Sequence, residues 1–304
     1  MYDLIIIGAG PAGITAAVYA ARKRLSILVI TGNIGGQTAW SGDIENYTGY
    51  QFISGPDLAA KFEEHMRQYN IALKENESAT AIKKNGDVIM VTTNMGSYES
   101  RSLIIASGKR TRDLNIPGER EYKNKGLTYC ATCDGPLFSE KYVAVIGGGN
   151  SALDAALQLV NIASKVYIIN NVSSLGGDAI MREKLESNSK VVIFNNSQVK
   201  AVLGEKFVKS IKILSPGGEI ELPAQGVFVE IGLMPNSEFA QDLEKNKAGE
   251  IKVSSCNETS IPGIFAAGDV TDVPEKQIII AAGEGAKAAL NVFRYLSQHK
   301  FQDA

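Results

Sequence analysis

Leu4–Thr31 reads LIIIGAGPAGITAAVYAARKRLSILVIT. A β-branched run gives way to glycines, small apolar residues then recur at helical spacing, and the segment closes in a second apolar run. Val143–Asn170, VAVIGGGNSALDAALQLVNIASKVYIIN, aligns with it without a gap. Each is a strand–turn–helix–strand unit. The first glycine, Gly8 or Gly147, makes the tight turn out of the strand. The second, Gly10 or Gly149, lets the backbone approach a pyrophosphate at the helix N-terminus, and the third position, Gly13 or Ala152, must be small for the helix to pack on the sheet. One such motif is a weak signal. Two in register predict two nucleotide-binding units.

Working outward, Leu103–Gly108 (LIIASG) and Gly263–Asp269 (GIFAAGD) read as further buried strands ending in small residues. Asp269 has two readings: an acid suited to a flavin's ribityl hydroxyls, or a cap for the next helix. A flavin unit that needs both the first repeat and GIFAAGD must be interrupted by the second repeat. The expected fold is therefore α/β, two dinucleotide-binding (Rossmann-like) three-layer domains with the second inserted into the first. Residues 1–113 and 244–304 would form the FAD domain and 114–243 the insertion, with joints near Arg112–Pro117 and in Gln241–Gly249.

The 304 residues suit two domains, and 31 Lys+Arg against 33 Asp+Glu give no electrostatic case for nucleic acid or an anionic membrane. No apolar run approaches the about 18 to 20 residues of a membrane span, and MYDLIIIGAG enters a strand without a leader pattern. A cytoplasmic location is expected.

Cys130 and Cys133 stand in TYCATCDGPLF, just before the second repeat. In a cytosolic protein a lone CxxC is more often redox-active or metal-binding than a structural staple. Zinc would need four ligands, and only Cys256, His65 and His299 remain, with no second CxxC, so no metal site is expected. Cysteines at i and i+3 can close a small disulphide and reopen it without global rearrangement. Asp134 follows immediately and can serve the outgoing thiolate as proton donor and acceptor, or simply cap a helix. His65 and His299 read as solvated surface residues.

In combination, GAGPAG, GGQT at Gly35–Thr38, IENY at Ile44–Tyr47, CATCDG, GGGNSA, GIFAAGD and KQIIIAAGEGAKAAL are highly specific. On them the whole chain resembles the low-molecular-weight thioredoxin reductases and the homologous flavoprotein component of alkyl hydroperoxide reductase. The resemblance implies FAD held by Gly8, Gly10, Gly13, Gln37, Asn46, Gly268, Asp269 and Gln277, and accounts for Thr31 where many dinucleotide folds place a ribose-binding acid. It implies a redox disulphide between Cys130 and Cys133 with Asp134 as the proton-handling acid, a homodimer, and an inserted domain that rotates to present the CxxC alternately to flavin and solvent. Electrons would pass from a pyridine nucleotide through FAD and the disulphide to thioredoxin or a glutaredoxin-like protein. Without a thioredoxin-like extension before Met1, service to a peroxidase would call for a separate small thiol protein. A flavin-bearing sensor that never turns over is the competing class, and Asp134 beside the pair favours catalysis.

The donor is read from Tyr167–Gly177, YIINNVSSLGG. NADPH-using thioredoxin reductases carry a pattern of the type H-R-R-D-x-x-R there, whose arginines grip the 2′-phosphate. Here Asn170, Asn171, Val172 and Gly176 stand in its place, so NADPH is disfavoured. Asn170 or Asn171 could hydrogen-bond a ribose hydroxyl of NADH, with Gly147, Gly149 and Ala152 forming the pyrophosphate turn. Arg182, six residues beyond Gly176, reads as a solvated helix residue, the alternative being a side chain that folds back towards a phosphate. Reduced ferredoxin is the alternative donor, at about −400 mV against about −270 mV for thioredoxin. The intact second glycine motif argues against loss of the nucleotide site, the alternative being that these glycines persist only because the turn must pack.

Overall fold

Strand β1 (Tyr2–Ala9) runs through the middle of a mixed sheet and pairs in parallel with both of its neighbours. Alternation sends Leu4 and Ile6 into one core and Ile5 and Ile7 into another, and all four are buried. A strand apolar on both faces must sit between two layers, and that dictates the architecture. Helix α1 (Pro11–Arg22) follows, with proline in its first turn, where the missing N–H has no partner to lose. Strand β2 (Ile27–Ile34) then pairs with β1 in parallel, Leu4 opposite Ile27 through Ile7 opposite Ile30. The second repeat folds the same way: β3 (Tyr142–Ile146), α2 (Asn150–Leu159) and β4 (Lys165–Ile169), with Tyr142 opposite Lys165 through Ile146 opposite Ile169. The computed structural model describes residues 1–41, 43–44, 46–129 and 131–299, with residues 43, 132 and 133 as backbone.

The chain divides into two compact units, Met1–Arg110 with the chain from Met234 onward, and Thr111–Leu233. In the inserted unit a five-stranded parallel sheet has the order Leu127–Thr128, β5, β3, β4, Val191–Phe194, where helix α3 (Ala179–Glu186) follows β4 and β5 is Gly226–Val229. Val143 and Val145 face one core with α2, while Ala144 and Ile146 face a second core closed by the antiparallel strands Gln198–Gly204, Val208–Ser215 and Gly218–Pro223.

In the first unit the sheet order is Ala72–Glu75, β2, β1, Ser97–Ile105. The last of these changes partner along its length. Its first half pairs antiparallel with Val88–Thr93, and its end pairs in parallel with Ile264–Ala266, Leu103 opposite Ile264. GIFAAGD is thus a strand of the N-terminal sheet, and the long helix α4 (Ile278–Gln298) packs beside α1. The return to this unit falls at Leu233–Met234, ahead of the expected joint after Leu243. Ala240 and Leu243 belong to the first unit's core with Ile5, Leu28 and Ile251.

Candidate functional site

The glycines of the first turn have different reasons to be glycine. Gly8 has φ +103°, and a Cβ on it would lie 2.3 Å from the Ala106 carbonyl oxygen. A Cβ on Gly13 would lie 1.8 Å from the Gly8 carbonyl oxygen, so the helix can approach the turn only without one. Gly10 is the N-cap of α1, and a Cβ there would meet only the Gly36 Cα, at 3.9 Å. No side chain caps α1 and no acid stands in its first turn, leaving first-turn N–H groups open to an anion. By contrast Ser54 caps Gly55–Arg67 by accepting from the Asp57 N–H. The open α1 N-terminus fits the pyrophosphate of FAD.

Both ends of the chain converge there. Gly268, φ +75°, would bring a Cβ to 2.9 Å from the Ala12 side chain, and Gly285 on α4 would bring one to 2.0 Å from the Ala12 carbonyl oxygen. Gln277, the N-cap of α4, accepts through Oε1 from Asn46 Nδ2 at 3.1 Å, and Gln37 donates to the Lys109 carbonyl at 3.0 Å. Thr31 is buried, its Oγ1 accepting from the Ala9 N–H at 3.2 Å and donating to the Asn33 carbonyl at 2.6 Å. The hydroxyl that replaces the usual acid thus closes its own turn.

Asp269 lies half-buried in the 3-10 turn Gly268–Val270, and burial raises its carboxyl while Lys276 and Lys109 pull it down. Those lysines belong to an ion cluster the sequence did not reveal. Lys109 Nζ is 2.7 Å and Lys276 Nζ 3.2 Å from Glu250 Oε1, and Asn246 donates to Glu250 Oε2 at 2.6 Å. Burial would raise Glu250, but these hydrogen bonds outweigh it and hold the carboxyl at about 2.

In the inserted unit Gly147, φ +136°, leaves no room for a Cβ, which would lie 2.1 Å from the Glu230 carbonyl oxygen. Ala152 is buried against this turn, and a Cβ on Gly149 would meet nothing within 4 Å. Like α1, α2 has no side-chain cap and no first-turn acid, so this turn also fits a pyrophosphate, here of a pyridine nucleotide. Asn170 does not face outward. It is 1% exposed, and its Nδ2 donates to the Val172 carbonyl at 3.1 Å and to Asn195 Oδ1 at 2.9 Å. Gly148 makes room for it, since a Cβ there would lie 2.4 Å from Asn170 Oδ1. Of the two asparagines only Asn171 is exposed.

The following loop is tied to the glycine turn. The Gly176 N–H donates to the Gly148 carbonyl at 2.7 Å, and the Asp178 N–H to Asn150 Oδ1 at 2.8 Å. Arg182 is half-buried rather than solvated. Its Nη1 donates to the Leu175 carbonyl at 3.3 Å, and its Nε is buried with no hydrogen-bond partner among the described residues. Glu230, the first residue after β5, is also half-buried, and burial followed by the charge of Asp154 raises its carboxyl to about 8.

Cys130 lies outside the described residues, and Cys133 is described only as backbone in the short helix Ala131–Asp134. Asp134 accepts a hydrogen bond from the Thr128 hydroxyl. Tyr129, next to Cys130, donates to Glu119 Oε1 at 2.8 Å, and the same carboxylate accepts the Leu114 and Asn115 N–H groups, each at 2.6 Å. Burial, then the hydrogen bond and charge of Glu119, push the Tyr129 phenol up. Glu119 is 4% exposed and pins the start of the inserted unit to the residues leading into the CxxC. Cys256 is a free thiol and His299 meets Asp87 at 2.9 Å. Among the described residues, no group of His, Cys, Asp or Glu could hold a metal, and no helix is long and apolar enough to cross a membrane.

Two glycine turns under uncapped helices, one in each unit, with a CxxC leading into the second, make a pair of dinucleotide-binding units beside a candidate redox pair. The chain belongs to the pyridine nucleotide-disulphide oxidoreductase family, whose sequence pattern matches residues 2–285. Thioredoxin reductase of Lactococcus lactis superposes with a TM-score of 0.88 at 36% identity, over 98% of this chain and 100% of that one. An alkyl hydroperoxide reductase component of Staphylococcus aureus (strain MRSA252) is 44% identical over 299 residues, covering 97% of this chain. NADH dehydrogenase of Bacillus subtilis (strain 168) is 41% identical over 298 residues. The chain spans 59% and 58% of the lengths of these two curated relatives.

Proposed function

We propose that this protein is a flavin-dependent disulphide reductase of the thioredoxin reductase type. In this reading Gly8, Gly10, Gly13, Gln37, Asn46, Gly268, Asp269 and Gln277 would hold FAD, which would supply two-electron transfer when bound. Cys130 and Cys133 take two electrons as their disulphide opens to a thiol and a thiolate, and Asp134 holds the proton exchanged with the outgoing thiolate. The pair then reduces a disulphide of thioredoxin or a glutaredoxin-like protein by thiol–disulphide exchange, closing its own bond as the partner's opens. The observation that carries the reading is the placement of the CxxC segment directly before the second uncapped glycine turn, with Asp134 anchored by Thr128.

NADH is the proposed donor. Support comes from the Asn171–Gly176 loop, which has no cation, and from Arg182, whose guanidinium is turned to the Leu175 carbonyl. The name of the Bacillus subtilis relative points the same way. A second reading is favoured by the name of the Staphylococcus aureus relative: electron supply to a peroxidase through a small thiol protein. Turnover assays with NADH, NADPH or reduced ferredoxin, each paired with thioredoxin, a glutaredoxin-like protein or a peroxidase system, separate these readings. NADH-driven reduction of a protein disulphide is expected. Reduction by ferredoxin alone would overturn the donor assignment. No partner reduction with any donor would overturn the function.

A further inference from the structure

Glu230 is a carboxyl that the electron route above does not use. It stands one residue beyond β5, its N–H donating to the Ile146 carbonyl at 2.8 Å, so it lies at the carboxyl end of the sheet beside Gly147. In a doubly wound sheet, ligands lie outside the carboxyl ends of the strands, with the pyrophosphate over the first glycine turn. The sheet order places β4 on one side of β3 and β5 on the other. A dinucleotide whose adenosine lies over the β4 loop therefore extends its nicotinamide half over the end of β5, where Glu230 stands. The carboxyl makes no hydrogen bond among the described residues, and the charge that acts on it within its unit is that of Asp154 on α2. Asp154 itself is exposed and accepts from Gln158 Nε2 at 2.8 Å.

We propose that Glu230 is a specificity-determining residue of the nucleotide site, which uses the ionisation of its carboxyl to discriminate the oxidised from the reduced nicotinamide ring. The inference rests on the nicotinamide reading of the preceding section. The oxidised ring carries a positive charge and the reduced ring none. An ionised Glu230 attracts the oxidised ring, whereas a protonated one is indifferent to the charge and can donate a hydrogen bond to a carboxamide or ribose oxygen. With the carboxyl raised to about 8 by burial and Asp154, the switch falls near neutral pH. The ionised form gains as pH rises, so oxidised-nucleotide affinity climbs through about 8 while reduced-nucleotide affinity stays level or falls. Below that value the site favours the reduced donor and sheds the oxidised product.

The test is equilibrium binding to the flavin-loaded, air-oxidised full chain, in which no turnover occurs. NAD⁺ and the non-reducing analogue tetrahydro-NAD are titrated between about pH 6.5 and 9.5, with wild type and Glu230→Gln side by side. For wild type, NAD⁺ affinity is expected to rise about tenfold across the window and analogue affinity not to rise. Glu230→Gln should bind the analogue and show a flat NAD⁺ profile. A pH-dependent NAD⁺ profile that survives in Glu230→Gln would overturn the role of Glu230 and leave the nicotinamide reading intact, as would a flat wild-type profile. Failure of both nucleotides to bind wild type would overturn the nicotinamide reading and this inference with it.

Discussion

Asn46 and Gln277, 231 residues apart in sequence, meet in one hydrogen bond, Nδ2 to Oε1 at 3.1 Å. Asn46 stands in the IENY motif and Gln277 is the N-cap residue of α4, so the bond joins the two separated stretches of the discontinuous unit. Asn46→Ala and Gln277→Ala should each weaken flavin binding about tenfold, and the double variant should fall short of the product of the two effects, because the residues share a partner. Flavin dissociation constants of the four proteins of the cycle check this. Full additivity would mean that the pair does not act together on the cofactor.

Gly10→Ala and Gly13→Ala should fail in different ways. The Gly13 Cβ would clash with the Gly8 carbonyl at 1.8 Å, so Gly13→Ala should destabilise the flavin-free protein by about 2 kcal/mol. A Cβ on Gly10 would make only an ordinary contact with the Gly36 Cα at 3.9 Å, so Gly10→Ala should leave the flavin-free protein near wild-type stability and lose flavin affinity. Thermal denaturation of apoprotein, set beside flavin titration, distinguishes the two.

Glu250 gives a pH signature. Its carboxyl is held at about 2, below the ordinary 4.5, so its stabilisation is fully present above about 4.5 and is lost as pH falls towards about 2. Glu250→Gln should therefore be less stable than wild type by about 2 kcal/mol at neutral pH, and the gap should narrow as pH falls through that window. Denaturant midpoints at several pH values supply the measurement. A gap that does not change with pH would assign the effect of Glu250 to packing rather than to the Lys109 and Lys276 pairs.

Glu119 accepts three hydrogen bonds while buried, and Glu119→Ala leaves the Leu114 and Asn115 N–H groups without it. The inserted unit should lose about 2 kcal/mol or more. Protease cleavage between Arg112 and Tyr129 should quicken in parallel. Unchanged cleavage would mean that Glu119 does not hold this segment.

Local geometry explains what the sequence disclosed. Gly8, Gly10 and Gly13 act within a few residues of one another, and the β1 and β3 runs are apolar on both faces, so strand, turn and helix could be read directly. What stayed hidden depends on distant partners. Asn170 turns inward because Asn195, 25 residues on, receives its amide. Glu230 reads as part of an ordinary strand end until β5 is seen beside β3. Lys109 and Glu250 are 141 residues apart, and nothing in either segment names the other. The return to the first unit lies at Leu233 rather than Leu243, because Ala240 and Leu243 look like any apolar residues until they are found in the core around Ile5.

In the proposed function Cys130 and Cys133 would take their two electrons from the bound flavin. The most direct measurement is the stoichiometry of an anaerobic NADH titration followed by flavin absorbance, with wild type beside Cys133→Ser. A flavin and a disulphide each take two electrons, so wild type should need about two equivalents of NADH for full bleaching and Cys133→Ser about one. One equivalent for both proteins would show that the cysteine pair takes no electrons from the flavin, and the protein would not be a disulphide reductase of this type.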